Sequence, residues 1–243
     1  MGRRLFDIGA ASAALTLLSP LMLLVALAIR ASSPGPVIFR ARRVGLHGTP
    51  FSMFKFRTMA VADDVGSAIT GSRDRRVFPL GRLLRRSKVD ELPQLFNVLR
   101  GEMALVGPRP EDPRLVATCY RLEHQPTLEV RPGLASPGSL YNFTHGEAQL
   151  AGPDAEAEYV ERILPVKLAL DVIYVRRASF RYDLAIIFRT VFVILAAMLG
   201  KRRFADPPEM AEARSLAIVS GSDRLSSAET VDTLKKSRPQ PAG

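Results

Sequence analysis

The feature that most constrains this chain is its first uncharged stretch. Residues 8–29 run for 22 positions without a charge, bounded by Arg3, Arg4 and Asp7 before and Arg30 after. About 20 apolar residues cross the hydrocarbon core of a bilayer as a helix, so a stretch of this length commits the chain to a membrane or to burial on every side. A cleaved signal fits poorly, because the run is long and the Ala31-Ser32-Ser33-Pro34 that follows is only weakly cleavage-like. Two features oppose a plain span. Ser19-Pro20 sits mid-stretch, where proline removes a backbone hydrogen bond and bends a helix. Arginines also flank both ends (Arg3, Arg4; Arg30, Arg40, Arg42, Arg43), so the cytoplasmic bias of positive charge selects no orientation. A helix that enters, bends at Ser19 and Pro20 and leaves by the same face satisfies both, with the Ser19 hydroxyl bonded to a nearby carbonyl. On these residues alone the bent helix and the plain span stand level.

After Arg30 the chain changes character. Ser33-Pro34-Gly35-Pro36 is a turn cluster, and residues 37–39 and 51–56 read as strands joined through Gly45, Gly48 and Pro50. Residues 60–72 read as a loop. A helix is expected over 92–99, stopping at Gly101, another over 112–122, and a third over 154–178 broken near Pro165. Residues 182–199 are strongly apolar, but Arg189 leaves the remainder too short to span, which suits an interfacial or core helix. From Ala205 onward the chain is rich in Ser, Pro, Lys and Ala and reads as a mobile tail. The expected organisation is a membrane helix over 1–32, a catalytic domain with interfacial helices over 33–204, and a disordered tail over 205–243. The fold class that follows is α+β and mainly helical.

Charge narrows the partners. The chain of 243 residues carries 34 Lys and Arg against 24 Asp and Glu, a net +10, which calls for an anionic partner. Residues 73–88 concentrate Arg73, Arg75, Arg76, Arg82, Arg85, Arg86 and Lys88 with one acid, Asp74. Nucleic acid is disfavoured there, since Phe78 is the only aromatic available for stacking. The lone Cys119 excludes an intramolecular disulfide, and His47, His124 and His145 are too scattered for a histidine-rich metal site. This composition fits a reducing, cytosol-facing domain.

Chemistry concentrates at Asp90-Glu91-Leu92-Pro93, directly after the basic run. Pro93 belongs in the first turn of a helix, which puts both acids at that helix's start. The plain reading is capping, because acids at helix starts are stabilising and common. Adjacent carboxylates within five residues of Arg85, Arg86 and Lys88 weigh against it. Carboxylates can share Mg²⁺ with substrate phosphates, and a carboxylate can attack phosphorus to form an acyl phosphate.

With these residues in view, four segments resemble the bacterial sugar transferase family, the monotopic polyprenyl-phosphate phosphoglycosyl transferases. They are Ser19-Pro20; Gly35-Pro36-Val37-Ile38-Phe39 with Arg43-Val44-Gly45; Lys55-Phe56-Arg57-Thr58-Met59; and Asp90-Glu91-Leu92-Pro93-Gln94-Leu95-Phe96-Asn97-Val98-Leu99 through Gly101 to Val106-Gly107-Pro108-Arg109-Pro110. Arg131-Pro132-Gly133 and Asp171-Val172-Ile173-Tyr174 add to the likeness. The resemblance implies a re-entrant helix bent at Ser19 and Pro20, on the cytoplasmic face of the inner membrane. It implies transfer of a sugar 1-phosphate from a nucleoside diphosphate sugar, with uridine expected, to polyprenyl phosphate through a phospho-aspartyl intermediate at Asp90. Mg²⁺ is expected at Asp90 and Glu91. This would be the first membrane step of exopolysaccharide or glycoconjugate synthesis, carried out by a short, minimal family form.

Lys55, Arg57, Arg85 and Arg109 are the candidates for gripping phosphate, the arginines bidentately, against the plain reading of a solvated basic face or headgroup contact. Tyr141, Phe143 and His145 follow a Gly- and Pro-rich loop and are candidates for the sugar or base, with packing or loop placement the equal alternative. Ala41-Arg42, and Leu134-Ala135-Ser136-Pro137 after Gly133, depart from the family pattern and leave the sugar and nucleotide open. Membrane lipids are expected partners, and the sequence leaves room for a homo-oligomer without specifying one. The alternative is a basic, non-enzymatic membrane scaffold, which explains the charge and the apolar helix but not the density of the central motifs.

Overall fold

The structure, a computed structural model, describes residues 2–60, 74, 76–146, 150 and 154–221, with side chains to 216. Arg73, Arg75 and most of the expected 60–72 loop lie outside the described residues.

The uncharged stretch forms a single helix, α1 (Gly2–Ser32), of which only Ala11, Val25 and Ile29 are buried. It is long and apolar enough to cross a membrane. Proline 20 lies within it. Lacking an N–H, it leaves the Thr16 carbonyl without its partner one turn on; the Ser19 hydroxyl donates to that carbonyl at 2.8 Å. Both halves of α1 rest on the rest of the chain. In the first half, Ala11 packs with Met53, Leu95, Val98 and Met103. Arg4 donates to the Val98 and Leu99 carbonyls at 2.7 and 3.0 Å, and Arg3 pairs with Asp183 at 3.1 Å. In the second half, Val25 and Ile29 pack with Phe56 and Leu84. The side between is bare: Leu17, Leu23, Leu24 and Leu27 are exposed.

The hairpin is longer than its sequence signal. Strands β1 (Ile38–Val44) and β2 (Pro50–Phe56) pair antiparallel from Ile38 opposite Phe56 to Val44 opposite Pro50. The extension runs through Arg40, Ala41, Arg42 and Arg43, whose charges hid a strand that buries only Ala41 and Val44. Helix α2 (Pro79–Arg86) follows, then a 3₁₀ turn (Val89–Glu91), α3 (Gln94–Arg100) and β3 (Ala104–Val106). As expected, α3 ends at Gly101, whose φ of +80° is the left-handed stop that glycine adopts without cost. Asn97 fastens α3 to the free edge of β2: its Oδ1 accepts the Phe54 N–H at 3.0 Å, and its Nδ2 donates to the Ser52 carbonyl at 2.8 Å.

The second half centres on a buried helix. Helix α4 (Pro113–Cys119) is shorter than expected and passes to a 3₁₀ segment (Leu122–Leu128). Strand β4 (Gly133–Ala135) then pairs with β3 in parallel, a pairing too short to leave a sequence signal. After α5 (Pro137–Tyr141) and a π-helical turn (Asn142–Gly146) come α6 (Ala155–Glu158), a second π turn (Tyr159–Ile163) and α7 (Leu164–Arg177). The break expected near Pro165 is that π turn. Helix α8 (Phe180–Met198) buries Ile186, Val193 and Ala197 and exposes Phe188, Phe192 and Leu195.

The expectation of a tail from Ala205 is corrected for residues 205–221. Helix α9 (Met210–Gly221) seats Met210 and Ala213 against Ala169, Leu170 and Ile173 of α7. Glu209, before it, accepts from Tyr182 at 2.6 Å and from Arg189 at 3.0 Å. Small residues packed on a partner helix look like linker composition until the partner is known. Residues 222–243 lie outside the described residues.

Candidate active site

The acid pair sits where a basic helix hands over to a tight turn. Helix α2 packs directly on the backbone of Thr58, because Gly81 has no side chain; a Cβ there would lie 2.1 Å from the Thr58 carbonyl oxygen. That contact brings Arg85 to Thr58, where its Nε donates to the hydroxyl at 2.9 Å. Lys88 then takes a left-handed conformation, φ +55°, which is uncommon for a residue with a side chain. It redirects the chain so that Asp90 and Glu91 turn inward, and Asp90 is 6% exposed.

Their environments differ. Glu91 meets Arg109 end-on, with Nη1 3.0 Å from Oε2 and Nη2 2.6 Å from Oε1. Lys55 lies 3.5 Å and Lys88 3.8 Å from Oε1. Burial alone would raise the Glu91 carboxyl, but Arg109, Lys55 and Lys88 together hold it well below the usual carboxylate range. Arg109 is likewise buried at a cost to its charge, which Glu91 more than offsets.

Asp90 has no such clamp. Its Oδ1 is buried with no hydrogen-bond partner, so it caps nothing through that oxygen. Burial, then the neighbouring Glu91 charge, pushes its carboxyl up to about 6, against the pull of Lys55, Lys88 and Arg85. Burial pushes the Lys55 ammonium down to about 8. One carboxylate is thus neutralised by cations while its neighbour keeps a free oxygen, the kind of divergence that marks reactive pairs.

The structure gathers Asp90, Glu91, Lys55, Arg85 and Arg109. Among the described residues, the two terminal nitrogens of Arg85 have no protein partner. Arg57 does not join them. The residue is 4% exposed, and its guanidinium donates to the Pro36 carbonyl at 2.6 Å, the Ser33 hydroxyl at 2.8 Å and the Ser33 carbonyl at 2.7 Å, which fixes the end of α1 to the hairpin. Ser19 and Pro20 lie apart, within α1. Phe143 sits against Lys88, with the ammonium 4.7 Å from its ring centre, while Tyr141 stacks on His145 at 5.1 Å. Lys88 was visible in sequence only as one more basic residue. A cavity of about 400 Å³ elsewhere, lined by Arg3, Asp7, Val106, Arg131, Phe180 and Asp183, includes none of the gathered residues.

A family model described as bacterial sugar transferase matches residues 1–197. The chain belongs to that family. Among curated relatives of this family member, a UDP-glucose:undecaprenyl-phosphate glucose-1-phosphate transferase from Caulobacter vibrioides is 41% identical over 197 residues, covering 78% of this chain and 68% of that protein. A protein of the same name from Klebsiella pneumoniae is 39% identical over 197 residues, 78% of this chain and 39% of its own length. A UDP-N-acetylgalactosamine-undecaprenyl-phosphate N-acetylgalactosaminephosphotransferase from Aeromonas hydrophila is 36% identical over 200 residues, 79% of this chain and 43% of its own. The chain therefore spans about two thirds of the first relative and about two fifths of the other two.

Proposed function

We propose that this chain transfers a sugar 1-phosphate from a uridine diphosphate sugar to undecaprenyl phosphate, through a covalent adduct on Asp90. The observation that carries the reading is the Asp90 carboxylate, buried and unpartnered at Oδ1 beside a Glu91 whose charge is fully compensated. In the first half-reaction an Asp90 oxygen attacks the sugar-bearing phosphorus, and the bond to the bridging oxygen breaks. Uridine monophosphate leaves with that electron pair. In the second, an oxygen of the polyprenyl phosphate attacks the same phosphorus, the acyl phosphate bond breaks and Asp90 returns as a carboxylate. Arg85, whose terminal nitrogens have no hydrogen-bond partner among the described residues, and Lys55 supply positive charge to the diphosphate.

The donor set fits magnesium in its usual mode. Among the described residues no group of three or more His, Cys, Asp or Glu side chains could hold a metal alone. Mg²⁺ is commonly bound by one or two carboxylates plus substrate phosphates; Asp90 has an open oxygen for it, whereas both Glu91 oxygens face Arg109. Bound there, the ion would neutralise the diphosphate as the leaving group departs.

The same reading makes α1 re-entrant and the protein monotopic on the cytoplasmic face, in the first membrane step of an exopolysaccharide or glycoconjugate. Support comes from the packing of both ends of α1 on one body, through Arg4 and Asp7 at one end and Val25 and Ile29 at the other.

The test is turnover. Purified protein in detergent, given undecaprenyl phosphate, magnesium and a panel of uridine diphosphate sugars, should release uridine monophosphate. Asp90→Asn should lower the rate to background, since loss of a nucleophile costs as much as about 10⁶-fold in a well-studied case. Intact-protein mass spectrometry with donor alone should show one added phosphosugar, missing in Asp90→Asn. An active Asp90→Asn enzyme would end the covalent reading.

A further inference from the structure

Beneath the Arg109 loop the interior holds more charge than packing requires. Helix α7 carries Lys167 and Asp171, one turn apart and therefore on one face; they are 0% and 1% exposed. The Lys167 ammonium pairs with Glu111, which also accepts the Tyr159 hydroxyl at 2.6 Å. Asp171 accepts the backbone N–H of Arg109 at 3.4 Å through Oδ2, and that of Gly138 at 3.1 Å through Oδ1. Positions 109 and 111 of one loop are therefore tied to a single helix, one through its backbone and one through its side chain. Burying such groups costs several kcal/mol per ion before pairing returns it, and apolar replacements are often as stable. The arrangement makes better sense as placement than as cohesion.

We propose that Asp171, supported by the Lys167–Glu111–Tyr159 cluster, is a positioning residue for the transferase reaction: it sets the backbone of Arg109 so that the guanidinium meets both oxygens of Glu91. The inference rests on the transferase reading above. A rotation of the 107–110 backbone would break the two-pronged contact, whose Nη–Oε distances are 3.0 and 2.6 Å. Asparagine cannot replace Asp171. Its side chain offers one acceptor oxygen and one donor amide, so one of the two facing N–H groups would meet another donor.

The experiment has two arms, both on the full-length protein in detergent. In the first, hydrogen exchange is followed in the peptide covering residues 107–111. Asp171→Asn should speed exchange there by about tenfold or more, as expected when a hydrogen-bonded loop opens more often, with α1 and β1–β2 unchanged. Unchanged exchange at 107–111 overturns the proposal whatever the activity. The second arm is a double-mutant cycle on kcat/KM for the donor sugar. Asp171→Asn should cost about 10- to 100-fold in the wild-type background and less than about threefold when Arg109 is already alanine, because residues acting as one unit are non-additive. Equal costs in the two backgrounds would make Asp171 a merely structural residue and also overturn the proposal. If Asp171→Asn does not fold, Tyr159→Phe removes one hydroxyl from the same cluster and carries both arms, with a smaller fall of about two- to fivefold. Wild-type protein that turns over no sugar on the panel would count against the transferase reading, while the exchange arm still decides whether Asp171 holds the loop.

Discussion

Arginine 109 is where chemistry and geometry meet at the scale of one residue. It faces Glu91 with both terminal nitrogens, a contact that an ammonium at the same place cannot reproduce. Arg109→Lys should lower kcat/KM about tenfold to a hundredfold, the equivalent of roughly 1.4–3 kcal/mol of charge-assisted bonding, with Tm near wild type. A fully active lysine variant would remove Arg109 from the site. Asp90 predicts a pH profile. Its carboxyl must be ionised to attack and is pushed up to about 6, so kcat/KM at fixed magnesium should fall below about pH 6. A profile flat from pH 5 to 7 would contradict that reading. The sign for stability runs the other way from an ordinary surface acid. Because the fold raises this carboxyl above its usual 3.8, the fold favours the protonated form; that contribution is full below about 3.8 and is lost as pH rises from there through about 6. Asp90→Asn should therefore raise Tm clearly at pH 8 and much less at pH 4, as read by calorimetry.

Among elements, the hairpin and α2 show what was legible and what was not. The helix stop at Gly101 and the acid pair directly after a basic run follow from local chemistry, and both were readable; that the acids turn inward was not, because it depends on the left-handed backbone of Lys88. Arg57 was not. Its residue type fits a phosphate ligand as well as a structural strap, and only the approach of Ser33 and Pro36, 24 and 21 positions away, assigns its donors. Arg57→Leu should accordingly destabilise rather than deactivate. Losing charge-assisted bonds to buried acceptors should remove about 2–4 kcal/mol, seen as a lower unfolding midpoint, while kcat of the folded fraction stays within about twofold of wild type. A large loss of kcat at unchanged stability would return Arg57 to the site. The β1 extension, the β3–β4 pair and α9 were hidden for a related reason. The β3–β4 pair and α9 are stabilised by partners distant in sequence, such as Met210 on Ala169, whereas the β1 extension pairs locally but is masked by its arginines; none carries a period of its own long enough to read.

For the molecule as a whole, the open question put by the sequence was whether residues 8–29 cross the membrane. If α1 is re-entrant, as proposed, single cysteines at positions 2 and 33, in a chain whose Cys119 is replaced, should both resist labelling by an impermeant reagent added to intact cells. External labelling at position 2 alone would make α1 an ordinary span. The paired ends of α1 also carry a consequence for how the protein is made. Arg3 reaches Asp183 and Phe6 stacks edge-on against Phe180, contacts that join positions about 180 residues apart. A ribosome adds about 5–20 residues per second, so α1 waits on the order of ten seconds or more for the helix that completes its docking. Its other partners, Met53, Phe56, Leu84, Leu95, Val98 and Met103, are all made well before that helix. The body is thus laid against α1 in order of synthesis, the hairpin and α3 first and α8 last.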